Sequence, residues 1–226
     1  MALSAMLVGI VLATVISSLA GALALRLLGI GVPRVDLGVW SPKIRFSIGT
    51  SAVSLSPWLI SGSSTAKNLD NADVYADVPG KLLDSLNRIV RALLHLIGPL
   101  SVLAASMLFV GIDALPAFVT GFRQAIVGAL YPFSYAQIYL SDFSSLATNS
   151  PVFSIGIALA KLAAFSLLPA PPLNGGQGLL ELIRPRSGKL GTIAGLAQQI
   201  SNFAVFLIFA MWLIALGWWL FHKGAI

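Results

Sequence analysis

The chain has 226 residues, of which 57% are hydrophobic and only 10% are charged, well below the roughly 25% charged residues of soluble domains. This composition indicates a membrane protein. The chain contains no cysteine, which excludes disulfides, thiolate metal ligands and a cysteine nucleophile. Its net charge of +6 is typical of membrane proteins with basic cytoplasmic loops, so we do not expect nucleic acid as a partner.

Four apolar segments approach the roughly 20 residues that a helix needs to cross a bilayer. They cover approximately residues 3–25, 89–111, 152–169 and 200–221. The first also contains Ala22-Leu23-Ala24, a possible signal-peptide cleavage site, but it lacks a basic start and its apolar run is long. We therefore expect it to be retained. The predicted fold is a mainly α polytopic membrane protein with a single domain over residues 1–226.

Basic residues are concentrated in two of the segments that join these spans, 26–88 and 170–199. Short cytoplasmic loops hold the excess of Lys and Arg in membrane proteins. We therefore expect both segments in the cytoplasm, both termini outside, and membrane lipid around the spans. A bacterial inner membrane is the expected location.

Two smaller elements are predicted between the spans. Polar and apolar residues alternate on both sides of Gly49-Thr50, which predicts a cytoplasmic β-hairpin over about residues 42–58. Residues 61–80, rich in Ser, Asn, Asp and Gly, indicate a loop. Large apolar side chains recur at steps of four in residues 114–131, which predicts an interfacial amphipathic helix rather than a further span.

The segment 166–178, Ser-Leu-Leu-Pro-Ala-Pro-Pro-Leu-Asn-Gly-Gly-Gln-Gly, must break the third apolar helix. Proline removes backbone donors and glycine permits unusual backbone shapes. Irregular backbone at membrane depth is accepted only where it is buried in protein or lines a cavity. We therefore expect Leu173 and Asn174 to face an internal site, while a rigid interfacial turn is the alternative.

This loop resembles a motif of the site-2 protease family, which are intramembrane zinc metalloproteases. Leu167-Leu-Pro-Ala-Pro-Pro-Leu-Asn-Gly-Gly176 is similar to the family's Leu-Leu-Pro-x-Pro-x-Leu-Asp-Gly-Gly, with Asn174 in place of a metal-binding Asp. Residues 28–58 resemble the family's substrate-guiding sheet, and Ile97-Gly-Pro-Leu100 resembles its second helix. The resemblance implies a binding cleft formed by Ser166, Pro169, Pro171, Pro172, Leu173, Asn174, Gly175 and Gly176.

The catalytic residues that the resemblance implies are missing. The family's His-Glu-x-x-His, two zinc ligands and a general base, falls on Ser17, Ser18 and Gly21. A catalytic zinc normally needs three protein ligands, yet the chain has only two histidines. The family's substrate-holding Asn residues fall on Ser166 and Val102. We therefore expect no zinc cofactor and no catalysis.

The resulting hypothesis is a catalytically inactive protein that binds a transmembrane or juxtamembrane segment of a partner, as an assembly or regulatory subunit. Ionisable side chains inside a membrane are functional by default, so His95 and Lys161 are candidate partner contacts. The alternatives are a neutral, hydrogen-bonded His95 and a Lys161 paired with an acid or a carbonyl inside the fold. Two alternatives remain open from the sequence. One is an active metalloprotease with a non-standard or partner-completed metal site, and the other is a small transporter or channel component.

Overall fold

The computed structural model describes residues 2–39, 43–68, 73–183 and 192–222. Pro42 and residues 184–191, which belong to the predicted hairpin and the predicted cytoplasmic segment, lie outside these ranges. The described residues form α-helices and one four-stranded sheet. The helices are α1 (Ala2–Leu27), α2 (Arg88–Val110), α3 (Ala114–Leu130), α4 (Tyr135–Asn149), α5 (Pro151–Ser166), α6 (Asn174–Ile183) and α7 (Thr192–His222).

Within the described residues, three helical stretches are long and apolar enough to cross a membrane. They are Ala2–Leu27, the stretch Arg88–Leu130 that contains α2 and α3, and Gly195–His222. The sequence predicted four such helices. The difference lies in α5, which has 16 residues because the prolines after Leu168 end the helix early. A helix of this length falls short of the roughly 20 residues that a span needs.

The sheet has the strand order β2-β3-β1-β4. Its strands are β1 (Arg34–Val39), β2 (Ile44–Ile48), β3 (Ser51–Leu55) and β4 (Trp58–Thr65). The antiparallel pair β2 and β3 confirms a hairpin around Gly49. The prediction of a loop from residue 61 was wrong at its start, because β4 extends to Thr65 and pairs antiparallel with β1.

Two further helices correct the sequence analysis. Helix α3 agrees with the predicted helix over 114–131, but α4 had not been predicted, since its sequence is rich in Ser and Thr and carries Asp142. Helix α6 begins at Asn174. The irregular part of the predicted loop is therefore restricted to residues 167–173.

Helix α5 lies at the centre of the helical bundle, in contact with α1, α2, α3 and α4. Leu159 of α5 is fully buried and packs in a cluster with Val102 of α2. Small residues allow these helices to approach closely, as where Ser106 of α2 donates a hydrogen bond to the carbonyl of Gly156, 2.7 Å away. Close approach of this kind through small side chains is typical of helix packing in membranes.

Candidate functional site

Ser17, where the resemblance predicts the first residue of the metalloprotease motif, lies on α1 against α2. Its neighbour is Gly98, which directly precedes the helical Pro99. A Cβ atom on Gly98 would lie well inside van der Waals distance of Ser17 Oγ and 3.4 Å from Ser17 Cβ. The gap between the two helices therefore holds a hydroxyl group, but an imidazole pointing in this direction would collide with α2.

The other two motif positions lie against the sheet. A Cβ atom on Gly62 of β4 would overlap with Ser18 Oγ and lie 3.0 Å from Thr14 Cγ2. One turn further along α1, a Cβ atom on Gly21 would lie 3.2 Å from Ser64 Oγ. Strand β4 thus covers the face of α1 that carries Ser18 and Gly21. Ser17 therefore packs against α2, and Ser18 and Gly21 pack against β4. The small size of these three residues makes this close packing possible.

Residues 167–173 form a compact turn between α5 and α6. The backbone nitrogen of Ala170 donates to the carbonyl of Leu168 at 2.7 Å, and that of Leu173 donates to the carbonyl of Ala170 at 2.9 Å. The peptide bond between Pro171 and Pro172 is cis. Pro171 is buried, whereas Pro169 and Pro172 are exposed. The turn therefore presents two proline rings on its outer surface.

Gly175 and Gly176 allow the turn to fold back on the first residues of α6. A Cβ atom on Gly175 would overlap with the carbonyl oxygen of Leu167, and one on Gly176 would overlap with the backbone nitrogen of Pro171. Backbone atoms cannot move aside as a side chain can. Both glycines are thus explained by the shape of the turn, independently of any chemistry.

Asn174, where the resemblance predicts an aspartate, is the first residue of α6 and is half-buried. Its neighbours in the sequence are Leu173 and Gly175, which are also half-buried, as is Ser166 at the end of α5. The predicted cleft residues therefore lie at the end of α5, in the turn and at the start of α6. Leu173 and Asn174 are half-buried, and the expectation that they face an internal site stays a prediction.

Helix α7 also contacts this turn, a contact that the sequence analysis missed. Ser201 Oγ donates a hydrogen bond to the carbonyl of Pro171 at 3.2 Å. The signal was present in the polar residues Gln198, Gln199, Ser201 and Asn202 within an otherwise apolar helix. Polar residues in such a helix tend to face protein rather than lipid. Ser201 is accordingly a further residue of the candidate site.

A charged cluster fixes α6 to the beginning of α2. Arg91 Nε lies 3.3 Å from Glu181 Oε2, and Arg91 Nη1 lies 3.3 Å from Asp84 Oδ1. The side chains of Arg91 and Glu181 are only 17% and 16% exposed. A Cβ atom on Gly178 of α6 would lie 3.1 Å from the carbonyl oxygen of Ala92. The ion pair and this close approach together position α6 and the turn before it.

His95 and Lys161, the two candidate intramembrane contacts, lie in different places, on α2 and on α5. His95 is half-buried on α2, near Gly178, and is within reach of the charge of Glu181. Lys161 is half-buried on α5 against Gly121 of α3. Because α5 ends at Ser166, Lys161 lies about 7.5 Å from the end of the helix at 1.5 Å per residue. Lys161 therefore lies nearer the end of α5 than its beginning at Pro151.

The polar face of the sheet carries a separate set of ion pairs. Asp36 of β1 contacts Arg34 at 2.7 Å and Lys43 at 3.5 Å, and it accepts a hydrogen bond from Ser54 Oγ. Burial opposes ionisation of Asp36. The hydrogen bonds from Ser54 and Arg34 and the charges of Arg34 and Lys43 outweigh burial and lower the pKa of Asp36 below its ordinary value.

Within the part of the chain that the structure describes, no three His, Cys, Asp or Glu side chains come together as metal ligands. Asn174 is a neutral amide, a weaker ligand for zinc than a carboxylate or imidazole. The side chains around the turn therefore do not provide a donor set that fits zinc.

The chain matches no protein-family profile, no curated protein and no solved structure.

Proposed function

We propose that the chain is a catalytically inactive membrane protein, similar in plan to site-2 proteases, that binds a transmembrane or juxtamembrane segment of a partner protein. It acts as an assembly or regulatory subunit of a membrane complex and leaves the bound segment uncut. In this proposal the sheet and the turn after α5 lie on the cytoplasmic side of a bacterial inner membrane. Both termini lie outside only if α5, at the centre of the bundle, completes a fourth crossing despite its length of 16 residues.

The observation that carries the inactive part of the proposal is the packing around α1. Ser17 lies against Gly98, and Ser18 lies against Gly62. Side chains as large as His and Glu at these positions would require α2 and β4 to move outward. The close packing of these small residues against α2 and β4 supports the proposal that the chain has no zinc site at these positions.

The binding part of the proposal is supported by apolar surface around the turn. Pro169 and Pro172 are exposed, and α6 exposes a helical face containing Leu179, Leu182 and Ile183 at 49%, 47% and 59%. Close to Ser201 in the sequence, α7 exposes Ile200 at 70% and Phe203 at 62%. Ser201 donates a hydrogen bond to the carbonyl of Pro171, which brings this part of α7 to the turn. An apolar partner helix would cover these surfaces without leaving a polar group unsatisfied.

The test is photo-crosslinking in native membranes. A photoreactive amino acid replaces Leu182 beside the turn, and a control chain carries it at Leu108, which is 88% exposed on the opposite half of α2. We expect Leu182 to give a discrete adduct whose crosslink maps to a transmembrane or juxtamembrane segment of one membrane protein. The control should give only lipid adducts.

Two results would count against the proposal. Identical adduct patterns from the two positions would show that the surface beside the turn is ordinary lipid-facing surface. An adduct in which the captured segment has been cleaved, and in which cleavage depends on added zinc, would instead indicate a metalloprotease with a non-standard site.

A further inference from the structure

Exposed aromatic side chains from two parts of the chain lie at one end of the helical bundle. They come from the connection between α3 and α4, from the start of α4 and from the last turns of α7. The rings of Phe133 and Trp218 are 5.2 Å apart, and Trp218 stacks on His222 at 3.8 Å. We call this exposed set the aromatic collar; its members are Tyr131, Phe133, Tyr135, Trp218, Phe221 and His222.

Contacts with α7 show where the collar lies along the bundle. Gln137 of α4 donates one hydrogen bond to the carbonyl of Pro132 at 2.7 Å and another to the carbonyl of Ala215 at 3.0 Å. The start of α4 therefore lies beside the last two turns of α7. The turn after α5 lies at the other end of α7, where Ser201 contacts Pro171.

The backbone between α3 and α4 indicates the depth of this level in a membrane. Residues 131–134 are not helical, and Tyr131, Phe133 and Ser134 are exposed. Irregular backbone within the hydrocarbon region is accepted only where it is buried in protein or lines a water-filled cavity. The exposed connection therefore belongs at the membrane boundary, and the contact of Phe133 with Trp218 places this part of α7 at the same depth.

The length of α7 agrees with this depth. Trp218 follows Ser201 by 17 positions, which corresponds to about 26 Å at 1.5 Å per residue and is close to the roughly 30 Å of hydrocarbon in a bilayer. Within this distance α7 exposes Leu213 and Ile214, and Ile214 lies one turn before Trp218. The exposed apolar surface of this candidate span therefore continues directly into the collar.

The kinds of ring in the collar suit the headgroup layer. Tyr and Trp are enriched at membrane interfaces, where one end of the side chain is apolar and the other is wet. The phenol hydroxyls of Tyr131 and Tyr135 need water or headgroup oxygens as partners, which acyl chains do not supply. Further along α4 the exposed side chains are polar, as at Asp142, Ser145 and Asn149. This change suits a helix at the edge of the hydrocarbon.

We propose that the aromatic collar binds the phospholipid headgroup layer of the leaflet opposite to the turn after α5. It thereby fixes the depth of α7 and of the start of α4 in the bilayer. The occupant of this surface is lipid and not a second protein. The inference rests on α7 crossing the membrane, and it is independent of the proposed partner and of the resemblance to site-2 proteases.

The absence of cysteine from the chain allows single thiols to report depth. Ile138→Cys places a fluorescent label on α4 beside the collar, and Leu207→Cys places one on α7, 11 positions before Trp218; both side chains are exposed. The labelled chains are reconstituted into phosphatidylcholine vesicles. We expect lipids spin-labelled at the headgroup to quench the label at 138 several-fold more than lipids spin-labelled deep in the acyl chain. The label at 207 should show the reverse order.

Three results would overturn the proposal. A label at 138 that aqueous iodide quenches and no spin-labelled lipid reaches would show that the collar stands in water. Protection of this label from every quencher would show that another protein covers the collar. Stronger quenching of the label at 138 by the deep spin label than by the headgroup spin label would place the collar in the hydrocarbon core.

Substitution of the tyrosines tests the role of the collar in setting depth. Tyr131→Leu together with Tyr135→Leu, in the chain that carries Ile138→Cys, removes two hydroxyls and keeps apolar side chains. The label should then lie deeper, and the ratio of headgroup to deep-chain quenching should fall several-fold. Phe203→Leu replaces an exposed ring at the other end of α7 and should leave the ratio unchanged. An unchanged ratio in the tyrosine variant would contradict the proposal.

Discussion

Gly98 of α2 lies directly against Ser17 of α1, so close that a methyl group on Gly98 would overlap with the serine hydroxyl. Under the proposed resemblance to site-2 proteases, Ser17 stands at a predicted metal-ligand position and Gly98 lies in the segment similar to the family's second helix. In this chain the two residues form a contact between α1 and α2.

The first prediction concerns this contact. Gly98→Ala should lower the stability of the protein by about 1–3 kcal/mol, the usual cost of forcing extra volume into a packed interface. The thermal unfolding midpoint in detergent measures the effect. Gly217→Ala is the matched control, because nothing lies within 4 Å of a Cβ atom at Gly217. Adding Ser17→Ala to Gly98→Ala should recover most of the loss, and an unchanged midpoint for Gly98→Ala alone would contradict the contact.

The turn after α5 allows a second test of close packing, in which the added methyl group meets backbone atoms. Gly176→Ala places a methyl group against the backbone of Pro171, where no side chain can rotate away. We expect a loss at the upper end of the range of about 1–3 kcal/mol for overpacking, together with weaker photo-capture at Leu182. Gly195→Ala, whose added Cβ atom meets nothing within 4 Å, should leave both unchanged. Full stability of Gly176→Ala would show that the turn is not packed as described.

Removal of the ion pair between α2 and α6 should loosen the turn. Glu181→Gln leaves Arg91 with Asp84 as its acidic neighbour, so we expect a loss of about 1–2 kcal/mol, less than the roughly 3–5 kcal/mol for an isolated buried pair. Asp84→Asn should cost less, because the Asp84 side chain is 33% exposed. Hydrogen exchange of the α6 amides separates the two variants. Faster exchange in Asp84→Asn than in Glu181→Gln would contradict this assignment.

The sheet should lose stability in acid through Asp36. Its pKa in the folded protein is lowered, so its contribution is fully present above the unfolded value of about 3.9 and is lost as the pH falls through the folded pKa. Limited proteolysis of the sheet in the unsubstituted protein and in Asp36→Asn, from pH 6 down into the acid range, measures this contribution. At neutral pH the variant should be cleaved faster, and its cleavage rate should change less as the pH falls. Identical pH profiles would contradict a stabilising role for Asp36.

Much of the helical structure could be predicted because it is encoded locally. Apolar runs determine where the long helices form, and the prolines after Leu168 account for the end of α5. Strand β4 could not be predicted, since Ser61-Gly-Ser-Ser-Thr has a loop composition. It forms a strand because small residues let it pack on Ser18 and Gly21 of α1, and that is a tertiary effect. The beginning of α6 was missed for a similar reason, since its glycines are accommodated by contact with the turn.

For the candidate site, the break after α5 could be predicted from the sequence, whereas the loss of catalytic groups rests on the resemblance and stays a prediction. Motif spacing placed Ser17, Ser18 and Gly21 where zinc ligands and a base would be expected. The spacing carried no information on the contacts of Ser17 with Gly98 and of Ser18 with Gly62, because these contacts join residues far apart in the chain. The contact of Ser201 with Pro171 was hidden for the same reason, although the polar residues of α7 hinted at it.

The most direct measurement of the central claim is the fate of a bound partner segment in the presence of metal. The complex captured at Leu182 is purified, its metal content is measured by mass spectrometry, and it is incubated with zinc. The account predicts no stoichiometric zinc and a partner segment that remains intact. Tightly bound zinc at one equivalent, with cleavage of the partner that a chelator abolishes, would contradict it.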